Sequence, residues 1–376
     1  MALSIRGIIE IPGSRDTSFD HAAFDPKTRR VFVAHTGRDC VEVIDHDASR
    51  HVATLADFPE AAGVVAHDGH VLVTNRGAAS LAWLDAVTLK TRSVWPTAPK
   101  PNGVAITSAA NFAIAACIGD DTHEPELQVF ALGGGGRWTL KLPGRPRWCV
   151  VDANDARVFL AIREPSMVLV ARLPDLDGVE HWPLPSGGAH GMDIDYAAGL
   201  LYVACDDGAL VEVDARTGTV QREWPLAGGP DATFFNPASG LVHVAIAEPG
   251  LVQSIDPRTG TASRIATARG AKTTALVAPD RLYVLSPSHG AATAIGFQPT
   301  GGGKAAITGD FVLIADEVNP VIKALRDNGI EVTAVHSHML TEQPRLIFMH
   351  FWANDDAVKL AKGLRAAIDK TASAKS

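Results

Sequence analysis

The chain has 376 residues, of which 46% are hydrophobic, and it carries a formal net charge of −8 at pH 7. This acidic balance argues against a nucleic-acid partner, because proteins that bind nucleic acid present a basic face to the phosphates. No segment reaches the roughly 18 apolar residues of a membrane helix, and residues 1–13 lack the basic region and the continuous apolar run of a secretion signal. We therefore expect a cytoplasmic protein with no membrane partner and with four free thiols, since Cys40, Cys117, Cys149 and Cys205 show no paired spacing.

A repeat of about 40 residues runs through most of the chain. It is clearest in VFVAHTGRDCVEVID (31–45), LYVACDDGALVEVD (201–214) and VHVAIAEPGLVQSID (242–256). Each segment is an apolar alternating run, a polar turn and a second alternating run, which predicts a β-hairpin. A shorter strand precedes each hairpin and a fourth run follows it, so each unit predicts one four-stranded propeller blade.

Seven inner strands predict seven blades and an all-β seven-bladed propeller over residues 1–299. The seventh blade, which ends in LYVLSPSHGAATAIGF, supplies only three strands. The segment Ser4–Ile11 is a lone strand ahead of the first blade, and we expect it to complete the seventh, because this closure leaves no open sheet edge. The inner strands start near Asp20, Glu60, Asn102, Arg147, His190, Asp231 and Lys272.

The repeats resemble the YVTN (YncE-like) β-propeller family. The resemblance rests on the VFVAH…VEVID, LYVAC…VEVDARTGTV and VHVAI…QSIDPRTGTA segments. It implies a platform that binds a ligand or a partner in many members and catalysis in few.

The repeat also predicts where a ligand binds. In a propeller of this kind, the start of each inner strand and the end of the next strand meet at one face, around the central channel. A spacing of fifteen residues pairs these positions in most blades: Asp20 with His35, Glu60 with Asn75, Asn102 with Cys117, and His190 with Cys205. All seven inner-strand starts are polar, which favours a small-molecule or metal site; a solvated rim without specific chemistry is the alternative.

The residue types at these positions suggest three roles. Carboxylates and an imidazole suit a divalent metal ion such as Zn²⁺, Cu²⁺, Mn²⁺ or Ca²⁺, with Asp20, His35, Glu60 and Asp231 as its expected ligands. The expected substrate-binding residues are Asn75, Asn102, Cys117 and Cys205. The expected catalytic residues are His190, as acid and base, with Arg147 and Lys272, which suit a carboxylate or phosphate group.

The period changes after a Gly-rich stretch, residues 300–306, which we interpret as a linker. Residues 307–376 then predict a small α+β domain of order βαββα. The expected elements are a strand over 310–314, a helix over 316–328, a hairpin over 330–339 and 345–352, and a final helix capped by Asn354. This domain also offers a surface for homo-oligomer formation.

Three histidines cluster on the predicted hairpin. Strand parity places His336 and His338 on one face with His350 opposite His336, within reach of one zinc or copper ion; a packed face with a polar end is the alternative. The HSHM and MHFWA motifs resemble the uncharacterised domain family of the LppY and LpqO lipoproteins, and the chain matches only its C-terminal portion. The resemblance implies no established activity.

Two functions remain open. The first is a metal-dependent hydrolase or lyase that acts on a small polar molecule at the channel mouth. The second is a non-catalytic scaffold that binds a protein partner or handles a metal ion.

Overall fold

The computed structural model describes residues 3–14, 17–152, 154, 156–279, 281–286, 294–337 and 345–371. The chain divides into two compact units, residues 1–288 and 289–376. Each unit has its own sheets and its own buried core, and each is described by itself below.

The first unit is a β-propeller built from antiparallel sheets in which consecutive strands pair as neighbours. Among the described residues it has six four-stranded blades and a seventh sheet of two strands. Blades one to three are β1 (Ala22–Asp25), β2 (Arg30–His35), β3 (Cys40–Asp45), β4 (Arg50–Leu55); β5 (Ala61–His67), β6 (His70–Asn75), β7 (Ser80–Asp85), β8 (Thr91–Pro96); and β9 (Pro101–Ile106), β10 (Phe112–Cys117), β11 (Glu126–Ala131), β12 (Arg137–Lys141). Blades four to six are β13 (Pro146–Val151), β14 (Arg157–Ile162), β15 (Met167–Arg172), β16 (Glu180–Pro183); β17 (Ala189–Asp195), β18 (Leu200–Cys205), β19 (Ala209–Asp214), β20 (Val220–Pro225); and β21 (Pro230–Asn236), β22 (Leu241–Ile246), β23 (Leu251–Ile255), β24 (Ala262–Ala266). The seventh is β25 (Thr273–Val277) with β26 (Arg281–Leu285).

The blades form a closed ring. Each innermost strand packs against the innermost strand of the next blade, and β25 of the seventh packs against β1 of the first. Clusters of buried apolar side chains lie between neighbouring blades, as between the first and second and between the fourth and fifth. Fully burying one Val or Leu side chain contributes about 1.5–3 kcal/mol. The core of this unit therefore lies between its sheets, and the inner strands surround a central axis.

The seventh blade differs from the sequence prediction in two ways. The run AIGF, expected as its third strand, lies instead in β27 (Ala294–Gly301) of the second unit, where it pairs with a longer strand. The segment 4–11 is not a strand; Ile9 and Ile11 pack on the apolar cluster between the seventh and first blades, while Ile5 and Ile8 are exposed. Within the described residues, ring closure rests on packing between β25 and β1 and on hydrogen bonds between the two blades, such as those from Thr273 to the Asp20 carbonyl and from Arg281 to the His46 carbonyl.

The second unit is a four-stranded antiparallel sheet with two helices. Its elements are β27, β28 (Lys304–Leu313), α1 (Ala315–Asp327), β29 (Glu331–His336), β30 (Ile347–Asp356) and α2 (Ala357–Ile368), and the strand order is β27-β28-β30-β29. Both helices pack on β28 and β30 over an apolar core that includes Phe311, Phe351 and Leu364. The order is therefore ββαββα, one strand more than predicted.

The predicted linker over residues 300–306 is the tight turn of the β27–β28 hairpin and the start of β28. The division between the units consequently falls at residues 288 and 289, earlier than the predicted boundary at 299. The last helix also starts later than predicted, because β30 continues through Asn354 to Asp356, and Asp356 caps α2 by accepting a hydrogen bond from the Lys359 backbone N–H. Among the described residues, no helix is long and apolar enough to cross a membrane.

Candidate functional site

A bulge recurs near the start of the inner strand in blades two to six. In the fifth blade Ala189 pairs with Cys205 and Met192 pairs with Val203, so one extra residue lies between them on β17. Similar register shifts follow Ala61, Pro146 and Pro230, and one occurs at Cys117 opposite Pro101. A bulge changes the direction of the side chain next to it. In blades three to six the side chain redirected in this way belongs to Asn102, Arg147, His190 and Asp231, respectively.

These side chains meet in one pocket of about 280 Å³. All seven blades contribute to it, which places it on the propeller axis at the mouth of the channel. The lining is almost wholly polar and carries four cationic side chains against two carboxylates. The lining residues are Asp20, His21, Arg76, Asn102, Arg145, Arg147, Trp148, His190, Asp231 and Lys272.

Asp20 is paired at one side of the pocket. Its Oδ2 accepts a hydrogen bond from Arg76, which also donates to Asn102, and its Oδ1 lies 2.7 Å from Nδ1 of His21. Burial alone would raise the pKa of the Asp20 carboxyl, but the adjacent His21 ring and the Arg76 guanidinium outweigh it and hold that pKa well below its usual range. Asp20 is therefore ionised, and the Arg76 guanidinium neutralises its negative charge.

Opposite, His190 lies between two carboxylates. Its Nδ1 is 2.7 Å from Oδ1 of Asp206, and its Nε2 is 3.8 Å from Oδ1 of Asp231. Lys272 Nζ holds the other Asp231 oxygen at 3.0 Å, and the Asp231 charge raises the pKa of Lys272. On the outer side, Arg163 donates to Asp206 at 2.7 Å. These contacts form a continuous chain of acidic and basic side chains that orients the His190 imidazole towards the cavity.

The Asp206 carboxyl is ionised as well. Burial raises its pKa, but the contacts with His190 and Arg163 outweigh burial and lower the pKa to about 2. A charged carboxylate at Nδ1 favours the tautomer with the proton on that nitrogen, which leaves Nε2 as an acceptor facing the pocket. This arrangement suits an acid and base that shuttles one proton.

Two arginines of the fourth blade, Arg145 and Arg147, also line the pocket. Neither forms an ion pair with any residue that the structure describes. Burial lowers the pKa of both, and like charges add to the effect: Arg163 lowers the pKa of Arg145, and Arg145 lowers that of Arg147. The pocket therefore has excess positive charge, although the protein as a whole is acidic.

Aromatic rings of three blades pack together at the pocket. Trp148, which follows Arg147 on β13, stacks on His21 of the first blade with the ring centroids 4.2 Å apart. Phe234 of the sixth blade meets the same indole edge to face at 6.1 Å. His21 and Trp148 both line the pocket, and Phe234 packs against the Trp148 ring, so aromatic side chains of three blades meet here.

Six of the seven predicted inner-strand residues line this pocket, and Glu60 does not. Glu60 has an exposed side chain and a positive φ of 47° in the turn before β5. The bulge of the second blade places buried Ala62 at the position that His190 holds in the fifth. Arg76 fills the space left by this small residue, so blade two contributes a cation where a carboxylate was expected.

The predicted strand-end residues are not in the pocket. His35, Asn75, Cys117 and Cys205 are all buried within their blades. The residue one position later is the one near the pocket: Arg76 lines it, and Asp206 contacts the pocket residue His190. This later position is occupied by Arg76, Arg163 and Asp206, which directly follow β6, β14 and β18. A charged residue directly after an apolar strand is the sequence feature that could have identified them.

His35 belongs to a hydrogen-bond network inside the first blade. Its Nδ1 is 2.7 Å from Glu42, which also accepts from Thr54 at 2.6 Å and contacts His51 at 2.8 Å. Burial raises the pKa of Glu42, but these partners together lower it to about 2. Cys40, whose pKa burial raises to about 12, completes a close His35–Cys40–Glu42 group. Every one of these side chains is satisfied by another, so we assign the network a structural role. The four cysteines are free, as predicted, and all four are buried.

In the second unit, two of the three predicted histidines meet. The rings of His336 and His350 lie 4.9 Å apart and nearly parallel, and Nδ1 of His350 contacts the carboxylate of Asp310 on β28. The predicted register is off by two, because His350 pairs with Ala334 and His336 pairs with Phe348. His338 lies outside the described residues.

The ring of blades and the polar cavity on its axis define a β-propeller with a ligand-sized pocket at its mouth. Solved structures agree with the fold. The chain is similar to the hydrazine synthase of Kuenenia stuttgartiensis, with a TM-score of 0.62 and 12% identity over 73% of this chain and 95% of that one. It is similar to a streptogramin B lyase structure with a TM-score of 0.62 and 12% identity, over 72% of this chain and 91% of that one. At this identity the likeness shows the fold alone.

Residues 260–370 match a family model described as a domain of unknown function (DUF1259). The match covers less than half of the chain and includes the last propeller strands as well as the second unit. No curated protein matches the chain.

Proposed function

We propose that the protein is an enzyme that acts on a small polar molecule in the mouth pocket, with His190 as its acid and base. The observation that carries this proposal is the contact between His190 Nδ1 and Asp206, which directs Nε2 into a cavity lined with cations. A side chain positioned in this way contributes typically 10²–10⁴-fold to a proton transfer.

The chemistry supported by this geometry is removal or delivery of a proton next to a developing negative charge. His190 Nε2 takes the proton, and Asp206 together with Asp231 stabilises the imidazolium that forms. Arg147 and Lys272 lie where they can stabilise an oxyanion on the substrate. Hydrolysis and elimination both need these two functions, and we propose a reaction of one of these classes.

A metal ion is not part of this mechanism. Two of the predicted ligands, Asp20 and Asp231, are neutralised by Arg76 and Lys272, and the other two lie outside the pocket. A divalent cation in the pocket would also be repelled by the excess positive charge.

The test does not require a known substrate. The purified full-length protein is incubated with a mixture of small metabolites, and each compound is followed by mass spectrometry. We expect at least one compound to be consumed by the wild type and spared by His190→Asn. If the two proteins leave identical mixtures, the enzyme proposal fails and a binding or scaffolding role remains.

A second candidate function is metal handling by the C-terminal unit. The contact between Asp310 and His350 Nδ1 favours it, because histidines that bind a metal almost always donate their other ring nitrogen to a carboxylate or carbonyl oxygen. We propose that His336 and His350 take part in binding a zinc or copper ion, and a metal titration of the intact protein tests this.

We also propose the family memberships and the location that the sequence suggests. The alternating segments quoted above support membership of the propeller in the YVTN (YncE-like) family, and HSHM and MHFWA support kinship of the second unit with the LppY and LpqO domains. We also propose a cytoplasmic location, which free thiols favour because a reducing compartment preserves them.

A further inference from the structure

The charges of the mouth pocket are not balanced by its own side chains. Arg76 pairs with Asp20, and Lys272 pairs with Asp231. Arg145 and Arg147 then remain as two positive charges without a carboxylate partner among the residues that the structure describes.

Arg147 also has an unused donor. Its Nε is buried and forms no hydrogen bond with the part of the chain that the structure describes. Buried polar groups in folded proteins are nearly always paired, and an unpaired one is costly. A bound anion would supply both the hydrogen bond and the charge, and arginine presents a planar fork that matches carboxylate and phosphate oxygens.

The two arginines lie at different depths. Arg145 is exposed and Arg147 is half-buried, and they are two residues apart at the start of β13. The cavity has a volume of about 280 Å³, which is close to the lower end of the range of roughly 300–1,000 Å³ for pockets that bind small molecules. It therefore suits a compact molecule with one anionic group held inside and further negative charge near the rim.

From this arrangement we infer that the ligand of the mouth pocket is a small dianion, such as a dicarboxylate or a phosphate monoester, with one negative charge for each of Arg145 and Arg147. The inference rests on the proposed function only for the use of the same pocket, and it does not depend on His190.

Calorimetric titration of the full-length protein tests it. The probes are succinate and inorganic phosphate at pH 8, with acetate as the singly charged control, all at constant ionic strength because salt screens such contacts. We expect succinate or phosphate to bind at least tenfold more tightly than acetate. Arg145→Gln should remove most of this preference, whereas Arg172→Gln, which changes an exposed arginine of the same blade, should leave it unchanged. Arg147→Lys, which keeps the charge but loses the fork, should weaken both dianions.

Equal affinity for acetate and the two dianions, or an unchanged preference in Arg145→Gln, would overturn the inference. The result also separates it from the enzyme proposal. If His190→Asn binds dianions as the wild type does while no compound is consumed by either, the dianion site stands and the enzyme proposal falls. If the wild type consumes a neutral or cationic compound through His190 and binds no dianion, the reverse holds.

Discussion

Gly191 faces the backbone carbonyl of Asp231 so closely that a Cβ on this glycine would lie 1.9 Å from the carbonyl oxygen. The same approach recurs between other neighbouring blades, where a Cβ on Gly63 would lie 2.1 Å from Asn102 O and one on Gly103 would lie 2.3 Å from Arg147 O. In blades two, three and five, the glycine after the bulged position thus lets the next blade bring its own pocket residue against the axis. The lack of a side chain at Gly191, for example, allows Asp231 of the next blade to reach its position in the pocket.

Gly191→Ala should therefore disturb the fold and the pocket together. Neither backbone segment can yield without moving a strand, so we expect the free energy of unfolding to fall by about 3 kcal/mol, measured by urea denaturation. Gly133→Ala is the control, because a Cβ there meets nothing within 4 Å and should change stability by less than about 0.5 kcal/mol. Equal denaturation midpoints for the two variants would contradict this account of blade packing.

Asp206→Asn tests the orientation of His190. The amide keeps the size of the carboxylate but no longer favours the tautomer with the Nδ1 proton, so the rate constant kcat for the consumed compound should fall by about 100-fold or more. KM should change little, because Asp206 is not among the residues that line the pocket. Asp177→Asn, which alters an exposed partner of Arg172, provides the matched control. A loss confined to KM would assign Asp206 a role in binding instead.

Asp193 should make the stability of the protein depend on pH. This residue is on β17, and its Oδ2 accepts a hydrogen bond from the Phe235 backbone N–H at 2.8 Å; burial raises the pKa of Asp193 to about 7. The pKa of Asp193 in the folded protein lies above the value of about 3.9 for an unfolded aspartate. Its contribution to the free energy of unfolding is therefore fully present below about pH 4 and is lost as the pH rises through 7.

Asp193→Asn removes this titration. We expect the variant to gain about 1–3 kcal/mol over the wild type at pH 8 and to lose that advantage at pH 4, measured by denaturation at both values. The exposed Asp175→Asn should show no such difference. A gain of the same size at both pH values would mean that Asp193 does not titrate in this range.

Metal binding by the second unit is tested by titration of the intact protein with Zn²⁺ and Cu²⁺. His350→Ala should abolish binding, and Asp310→Asn should weaken it by about 10–100-fold, as expected for a residue that orients a ligand. His181→Ala, at an exposed histidine of the propeller, should bind as the wild type does. Unchanged affinity in His350→Ala would remove the metal-handling function.

The sequence alone was enough to predict the blades and most of the polar ring. Strand alternation and a repeated hairpin depend on local spacing, so they can be read from one chain. The polar starts of the inner strands recur with the repeat, and for this reason Asn102, Arg147, His190 and Asp231 were placed correctly at the mouth.

Only the tertiary structure decided which neighbours these residues meet. The bulge in the inner strands of blades two to six shifts the register by one residue, and with a side-chain period of two a shift of one exchanges the two faces of a strand. Cys205 was expected where Asp206 lies. Glu60 was expected where Ala62 lies, because the turn between β5 and β6 is two residues shorter than the turn between β17 and β18. The AIGF run was expected in the seventh blade, but it lies in the second unit, where it pairs with the long strand β28. The local pattern of apolar and polar residues determines which residues form a strand. The free energy that selects a bulge or a partner strand comes from contacts between segments that are far apart in the sequence, and the order of residues along the chain does not show these contacts.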